Sequence, residues 1–202
     1  MKILLDFDDV LNLTVNWRRV HESKPVDPQA KFVRRSGWDP DAYEYHVYES
    51  GAVKLPLTVN REMLDRIAEI QKRTRAFVWL TDWLQVDVPG IVPIENMNTL
   101  PDHVQIRHEF LTSVVGSYFP IHGGSGTSHF FSSDWWKCDA VAEATKHDDI
   151  IWADDKLAKG HQNSFAKQFD NLHMVKVVEA FGLTKPQLDH IERLLRFVNV
   201  DN

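Results

Sequence analysis

A chain of 202 residues of which 43% are hydrophobic can bury a substantial core within a single domain. Its formal net charge of -6 argues against a protein that coats nucleic acid, although it permits an enzyme that holds nucleic acid at a local basic patch. The single cysteine, Cys138, excludes an internal disulfide, and no apolar run approaches a membrane span, so we expect a soluble cytoplasmic protein without a membrane partner.

The first predicted element is a short buried strand that ends in carboxylates. Residues 2–5 form an apolar run whose length favours a strand, and Asp6, Asp8 and Asp9 follow it. Because side chains alternate along an extended chain, Asp6 and Asp8 begin on the same side of the strand end. Two neighbouring carboxylates favour a hard divalent cation, and magnesium is the usual one beside phosphate. The alternative is an ordinary turn that begins at Asp8.

The segment from about 13 to 58 is predicted to be a β-hairpin or a small cap inserted after the first strand. Two runs, 31–38 and 43–48, have strand-like composition, and residues 38–41 between them are typical of a turn. The front of this segment is locally basic. Its cations are Arg18, Arg19, Lys24, Lys31, Arg34 and Arg35. They could contact a phosphate backbone, and a solvated hairpin face explains them at least as well.

Asn60 is predicted to cap a helix that runs to about residue 74. Residues 76–80 form the next apolar run, a predicted buried strand, and this run ends at Thr81 and Asp82. The following segment, 84–133, remains unassigned because loop signals dominate it. Its glycine-rich part is predicted to be a flexible loop, since no lysine accompanies it as in a phosphate-binding loop.

Another helix is predicted to begin after a cap at Asp134, and it carries Lys137 in its first turn. A cation there opposes the helix dipole, so Lys137 is either an incidental surface lysine or part of an anion site at the helix N-terminus. The third apolar run, 149–153, ends in Asp154 and Asp155. Its termination in paired carboxylates repeats the pattern of the first strand.

The last elements are a fourth strand over 172–177 and a helix that begins with the capping box of Thr184 and Gln187. Strands that alternate with helices predict an α/β fold, in one domain spanning 1–202, with helices on both faces of a mostly parallel sheet. The predicted strands of this sheet are 2–6, 76–81, 149–154 and 172–177. Ligands bind such sheets at the carboxyl ends of the strands. The side chains expected to meet there are Asp6, Asp8, Thr81, Lys137 and Asp154.

This arrangement resembles the haloacid dehalogenase (HAD) superfamily of phosphohydrolases. Residues 4–12 resemble its first motif, Thr81 its second, Lys137 its third and residues 152–155 its fourth, in the order of the family. The resemblance implies a Rossmann-like fold. One departure is Asp9, where many relatives carry glycine.

More narrowly, the sequence is similar to the HAD domain of the "Swiss Army Knife" RNA-repair proteins of bacteria and phages. The similarity rests on Thr81 and Trp83 after the second strand, the Trp-Lys pair that opens the third-motif helix, and residues 182–184 before a leucine-rich helix. It implies a nucleic-acid end as a substrate.

The superfamily resemblance also implies roles for the candidate residues. Asp6 would be a nucleophile that forms an aspartyl-phosphate, and Asp8 would act as general acid and then as general base. Mg²⁺ would bridge Asp6, the backbone carbonyl of Asp8, and Asp154, while Asp155 would support these ligands or reach the metal through water.

The substrate-binding residues implied for this site are Thr81, Asp82, Lys137, Arg34 and Arg35. Three functions remain open at this point. The first is a phosphatase for nucleic-acid 3'-phosphate ends, and the second is a phosphatase for small nucleotides or metabolites, such as a 5'-nucleotidase. The third is a non-catalytic module that binds magnesium or phosphate. The sequence does not predict the oligomeric state.

Overall fold

A four-stranded parallel sheet organises the computed structural model, which describes residues 1–13, 34–51, 53–81, 83, 92–93, 101–115, 122–123, 135–155, 165–178 and 181–198. The strands in these ranges are β1 Lys2–Leu5, β2 Tyr43–Ser50, β3 Val53–Asn60, β4 Phe77–Trp79, β5 Val92–Pro93, β6 His122–Gly123, β7 Ile150–Asp154 and β8 Leu172–Lys176. The helices are α1 Arg61–Thr74, α2 Asp102–Val115, α3 Trp135–Ala144 and α4 Lys185–Val198. A 3-10 turn, Pro40–Ala42, precedes β2.

The sheet has the order β4–β1–β7–β8, and all of its pairings are parallel. Its strands were predicted over 2–6, 76–81, 149–154 and 172–177, and each prediction is confirmed to within two residues at either end. In the register, Leu5 lies between Trp79 on β4 and Ala153 on β7. Asp6 directly follows β1 and Asp154 is the last residue of β7, so two predicted site residues lie side by side at the edge of the sheet.

Alternate residues of the central strands face two separate hydrophobic clusters, as the period of a strand requires. Ile3 and Leu5 pack into the larger cluster with apolar residues of α1, α2 and α4. Leu4 packs into the smaller cluster with Cys138 and Val141 of α3. Helices therefore cover both faces of the sheet, and the predicted α/β architecture is confirmed and is compatible with a Rossmann-like fold. By the same alternation, Asp6 follows Leu4 and faces the side of α3.

Of the three helix starts predicted from capping residues, those at Asn60 and Thr184 are confirmed, and the cap at Asp134 lies outside the described residues. The Oδ1 atom of Asn60 accepts a hydrogen bond from the backbone N–H of Met63 at 3.1 Å, and α1 then runs to Thr74. At the start of α4, the Thr184 N–H donates to Gln187 Oε1 at 2.9 Å, and the Gln187 N–H donates to Thr184 Oγ1 at 3.4 Å. These bonds satisfy donors that a helix N-terminus leaves without an intrahelical partner.

Helices α1 and α4 are joined by an interhelix ion cluster, which consists of Arg66, Arg73, Asp189 and Glu192. Arg66 pairs with Asp189 at 2.6 Å and also with Glu192, and Arg73 pairs with Glu192 at 2.9 Å. Two cations thus meet two carboxylates. The side chain of Arg73 is 58% exposed, so this cluster lies within reach of water.

The predicted hairpin exists, but its first strand was placed wrongly. β2 pairs antiparallel with β3, from Tyr43 opposite Asn60 to Ser50 opposite Val53. The predicted strand over 31–38 is contradicted in its described part, because Arg34 is helical and a turn and a bend follow it up to Trp38. There the buried Trp38 donates its indole N–H to the carbonyl of Leu183 at 2.7 Å, which fixes the turn to the start of α4.

The loop before α4 is in close contact with the loop after β1. The N–H of Leu183 donates to the carbonyl of Val10 at 2.7 Å. Gly182 has a φ of 62°, and a Cβ atom at this position would lie 2.8 Å from Leu13 Cδ2 and 2.9 Å from the Val10 carbonyl oxygen. Only glycine combines that backbone conformation with such a close approach.

Within 84–133, which the sequence analysis left unassigned and loop-rich, the structure contains α2 and the short ladder of β5 with β6. Val104, Leu111 and Val114 of α2 are buried at helical spacing, which was the available signal. The glycines at 124 and 126 lie outside the described residues, as do Arg18, Arg19, Lys24 and Lys31 of the basic run. None of the helices in the described ranges is long and apolar enough to cross a membrane.

Candidate active site

Three charged side chains form a buried cluster at the carboxyl ends of β1 and β7. The Nζ atom of Lys137 donates to Asp6 Oδ2 at 2.5 Å and to Asp154 Oδ2 at 3.0 Å. The three residues are 1% to 4% exposed. We call Asp6, Lys137 and Asp154 the site cluster. Its burial excludes the interpretation of Lys137 as an incidental surface lysine.

The local chain explains why these groups meet. Asp6 remains attached to β7 through its N–H, which donates to the carbonyl of Ala153 at 3.2 Å. Lys137 lies in the first turn of α3, and α3 covers the sheet face toward which Asp6 projects. The predicted cap at Asp134 lies outside the described residues. One lysine facing two carboxylates leaves the site cluster with an excess of negative charge.

A divalent cation fits the donor set next to the site cluster. Asp6, Asp154 and Asp155 each offer a carboxylate oxygen, and the three oxygens lie within 4.8 Å of one another. Hard oxygen donors of this kind suit magnesium, calcium or manganese better than zinc or copper. Asp155 was predicted to support the ligands or to reach the metal through water, and its carboxylate oxygen lies within 4.8 Å of those of Asp6 and Asp154.

Burial raises the pKa of Asp6 to about 8 from an ordinary value of 3.8. Lys137 opposes this shift, whereas the neighbouring carboxylates of Asp154 and Asp8 add to it. The cause is the cost of holding an ionised carboxylate away from water beside like charges. Without a bound metal ion, a proton on Asp6 reduces the excess negative charge of the site cluster. A bound divalent cation would displace that proton.

The turn after Asp6 returns the chain to the site. The carbonyl of Phe7 accepts the backbone N–H groups of Leu11 and Asn12, both at 2.9 Å. Asp9 has a φ of 57°, in the left-handed region that favours glycine and that aspartate tolerates better than most side chains. This backbone conformation gives a physical reason why glycine and aspartate are the residues that suit this position.

Asp8 is held by two side chains to which the sequence analysis gave no role. Its Oδ1 accepts from Asn12 Nδ2 at 3.0 Å, and its Oδ2 accepts from Trp83 Nε1 at 2.8 Å. Both donors lie within the motif-like stretches that the sequence analysis singled out, but the spacing alone does not show which atoms meet. Both donors are uncharged, so these two bonds orient the Asp8 side chain without placing a positive charge beside it.

The other predicted residues lie at different distances from this centre. Thr81 is 2% exposed directly after β4, where its Oγ1 accepts the N–H of Trp83 at 3.4 Å. Asp82 lies outside the described residues. Arg34 and Arg35 are exposed in the turn that packs on the start of α4, whereas the site cluster is buried.

Comparisons of this chain with protein-family models, with curated proteins and with solved structures found no match. The chemistry of the site therefore has to be inferred from its own residues.

Proposed function

We propose that this chain is a magnesium-dependent phosphatase that works through an aspartyl-phosphate on Asp6, as enzymes of the HAD superfamily do. The observation that carries the proposal is the site cluster, in which one buried lysine faces two carboxylates at adjacent strand ends. Asp155 and Asp8 lie around it with further carboxylates. A site of this composition is suited to a phosphoryl group, which needs a nucleophile, cations and a proton donor together.

In the first step, a carboxylate oxygen of Asp6 attacks the phosphorus atom, and the bond from phosphorus to the leaving oxygen breaks. The leaving oxygen takes a proton from Asp8. Both Asp8 oxygens accept one hydrogen bond each in the structure, and each retains a second lone pair that can carry this proton. The products of this step are the free alcohol and the aspartyl-phosphate.

In the second step, a water molecule attacks the phosphorus atom of the aspartyl-phosphate. Asp8, now ionised, accepts the proton of that water, and the bond from phosphorus to Asp6 breaks to release inorganic phosphate. Asp6 returns to its ionised form and Asp8 to its protonated form. Atoms and charges are therefore restored at the end of each cycle.

The remaining groups stabilise the negative charge of Asp6 and of the phosphoryl group. Lys137 balances Asp6 and the transferred phosphoryl oxygens. Thr81 accepts a hydrogen bond from a backbone N–H, which leaves its own O–H to donate to a phosphoryl oxygen. Mg²⁺, held by oxygens of Asp6, Asp154 and Asp155 with the Asp8 carbonyl, would supply the charge needed to bring a dianionic phosphate to a carboxylate.

The test is hydrolysis of an aryl phosphate with magnesium by wild type and by Asp6→Asn. The variant should lose activity by roughly a thousandfold or more, because the amide is a poor nucleophile, and it should remain folded. Asp149→Asn is the matched control, since Asp149 is an exposed aspartate next to the opposite end of β7. Equal turnover in wild type and Asp6→Asn would exclude the covalent mechanism, and absence of turnover in wild type would favour the non-catalytic module.

The substrate class that we propose is a phosphorylated nucleic-acid end. Its support is the pair of exposed cations Arg34 and Arg35, which lie in the segment between the nucleophile and the hairpin. Contacts with a phosphate backbone are sensitive to salt and carry affinity more than chemistry. A small phosphate ester is the competing substrate, and the net charge of -6 favours it.

Replacing Arg34 and Arg35 with alanine should raise the KM for a 3'-phosphorylated oligonucleotide and leave hydrolysis of an aryl phosphate nearly unchanged. Added salt should have the same effect as the substitution on wild type, for the oligonucleotide alone. If both substrates respond alike, or if mononucleotides are hydrolysed far better than oligonucleotides, the small-molecule substrate is the correct one.

A further inference from the structure

Trp83 joins Asp8 to three other parts of the fold. Trp83 follows β4 and is 7% exposed. Its indole N–H donates to Asp8 Oδ2 at 2.8 Å. A buried indole N–H needs an acceptor, and this one uses the carboxylate proposed as the general acid. The direction of the N–H depends on the orientation of the indole ring.

The indole ring is clamped by aromatic side chains from three elements. Phe7, in the loop after β1, contacts it edge-on with ring centroids 5.5 Å apart. Tyr48 of β2 contacts it edge-on at 5.2 Å, and Phe110 of α2 stacks on it at 6.1 Å with an interplanar angle of 16°. Tyr48 and Phe110 also contact each other at 5.0 Å. The ring is thus held on several sides, and one of these residues, Phe7, also donates its backbone N–H to Asp6 Oδ1 of the site cluster at 2.8 Å.

The hairpin reaches Asp8 by a second route. Asn12 donates to Asp8 Oδ1, and the Oδ1 of Asn12 accepts the backbone N–H of Thr58 on β3 at 2.8 Å. β2 therefore acts on one carboxylate oxygen through Tyr48 and Trp83, and β3 acts on the other through Asn12. Asp8 itself lies in a turn, where the backbone alone would leave its side chain free to rotate.

We infer that Trp83 is a positioning residue, which the β2–β3 hairpin and α2 hold so that Asp8 presents its proton to the leaving oxygen. This inference rests on the proposed phosphatase function, because it assigns a purpose to the orientation of the general acid. Proton transfer requires the acid within hydrogen-bond reach of the leaving atom, so a side chain that rotates away loses its effect. The insert after β1, predicted from the sequence to be a hairpin or a small cap, is on this account a support for the acid.

The contribution of Asp8 as general acid can be measured by changing the leaving group of the substrate. A nitrophenolate leaves readily without a proton, whereas an alkoxide needs one, so the rate of phosphoenzyme formation should depend on the leaving group more steeply when the acid is misplaced. Trp83→Phe keeps an aromatic ring in the clamp and removes the N–H donor. It should slow phosphoenzyme formation from an alkyl phosphate at least about tenfold more than from a nitrophenyl phosphate.

Trp79→Phe is the matched control. Trp79 of β4 contacts Phe7 in the same aromatic group, with centroids 5.9 Å apart, and it is also buried, at 2% exposed against 7% for Trp83. It should change stability and affect both substrates by the same factor. Equal slowing of both substrates in Trp83→Phe would overturn the positioning role and leave Trp83 as packing alone.

A second measurement needs no turnover. The unfolding midpoint is compared for Trp83→Phe in wild type and in Asp8→Ala, where the indole N–H has already lost its acceptor. The substitution should lower the midpoint by a smaller amount in the Asp8→Ala background. Strictly additive shifts would contradict the proposed coupling, whereas absence of phosphatase activity in wild type with non-additive shifts would reject only the proposed function.

Discussion

The site cluster and the interhelix ion cluster are built from the same kinds of charge, but in opposite ways. Between α1 and α4, two arginines meet two carboxylates within reach of water, so the charges balance and solvent screens them. At the strand ends, one lysine meets two carboxylates whose side chains are 6% exposed or less. The interhelix ion cluster therefore connects two helices, whereas the site cluster retains negative charge that a further cation can neutralise.

The largest expected effect comes from removing the only cation of the site cluster. Lys137→Met should lower the free energy of unfolding at neutral pH by about 3–5 kcal/mol, because two buried carboxylates lose their partner. It should also abolish phosphatase activity. Denaturant unfolding with and without magnesium measures this, and added magnesium should recover part of the loss. A variant as stable as wild type would show that the site cluster behaves like a surface ion pair.

The next effect concerns metal affinity. Asp154→Asn should weaken magnesium binding by roughly tenfold or more, because it removes one of three carboxylates that converge there. Calorimetric titration of magnesium into both proteins measures this. Asp189→Asn in the interhelix cluster is the control and should bind magnesium as wild type does. Equal affinities for wild type and Asp154→Asn would mean that the metal site lies elsewhere.

Within any one pH unit, the change in the free energy of unfolding should be smaller than the loss expected for Lys137→Met. Because the pKa of Asp6 is raised from 3.8 to about 8 in the fold, the folded protein holds a proton between these values that the unfolded chain has released. Without metal, stability should therefore fall as pH rises from about 4 to about 8, by at most about 1.4 kcal/mol per pH unit for one proton.

Denaturant unfolding in a chelator at several pH values measures this slope. Asp6→Asn should remove it, and saturating magnesium should flatten it, because the metal keeps Asp6 ionised in the folded state. A slope that persists unchanged in Asp6→Asn would assign the proton to another group.

The smallest effect is expected in the interhelix cluster. Arg73→Ala should cost less than about 1 kcal/mol of unfolding free energy, because its side chain is 58% exposed and Arg66 still pairs with Glu192. High salt should reduce the difference further. The result is measured by denaturant unfolding, and a cost as large as that of Lys137→Met would remove the distinction between the two clusters.

Residues with a strong local signal were predictable from the sequence. The buried strands were recognised because their apolar runs are continuous, and the starts of α1 and α4 because capping residues precede them. The convergence of Asp6, Lys137 and Asp154 followed from the rule that parallel strands present their carboxyl ends at one edge. These are local patterns combined with one general rule of topology.

The rest depended on tertiary partners that no local pattern specifies. Apolar residues alternate along β3, but residues 31–38 have a strand-like composition as well, and the sequence alone does not show which of the two segments pairs with β2. The role of Trp83 depends on Tyr48 and Phe110, which approach it from distant parts of the chain. The order β4–β1–β7–β8 likewise became evident only in three dimensions.

The contact of Gly182 and Leu183 with the loop after β1 has a consequence for the order in which the molecule assembles. β1 lies at the centre of the sheet, yet its neighbour β7 and the residues that brace Val10 are synthesised much later than β1 itself. The turn that carries Asp8 and Asp9 therefore lacks its contacts with β7 and with Leu183 until nearly all of the described chain has been synthesised. Contacts between such distant residues slow folding, so the site should be among the last regions to become rigid during synthesis.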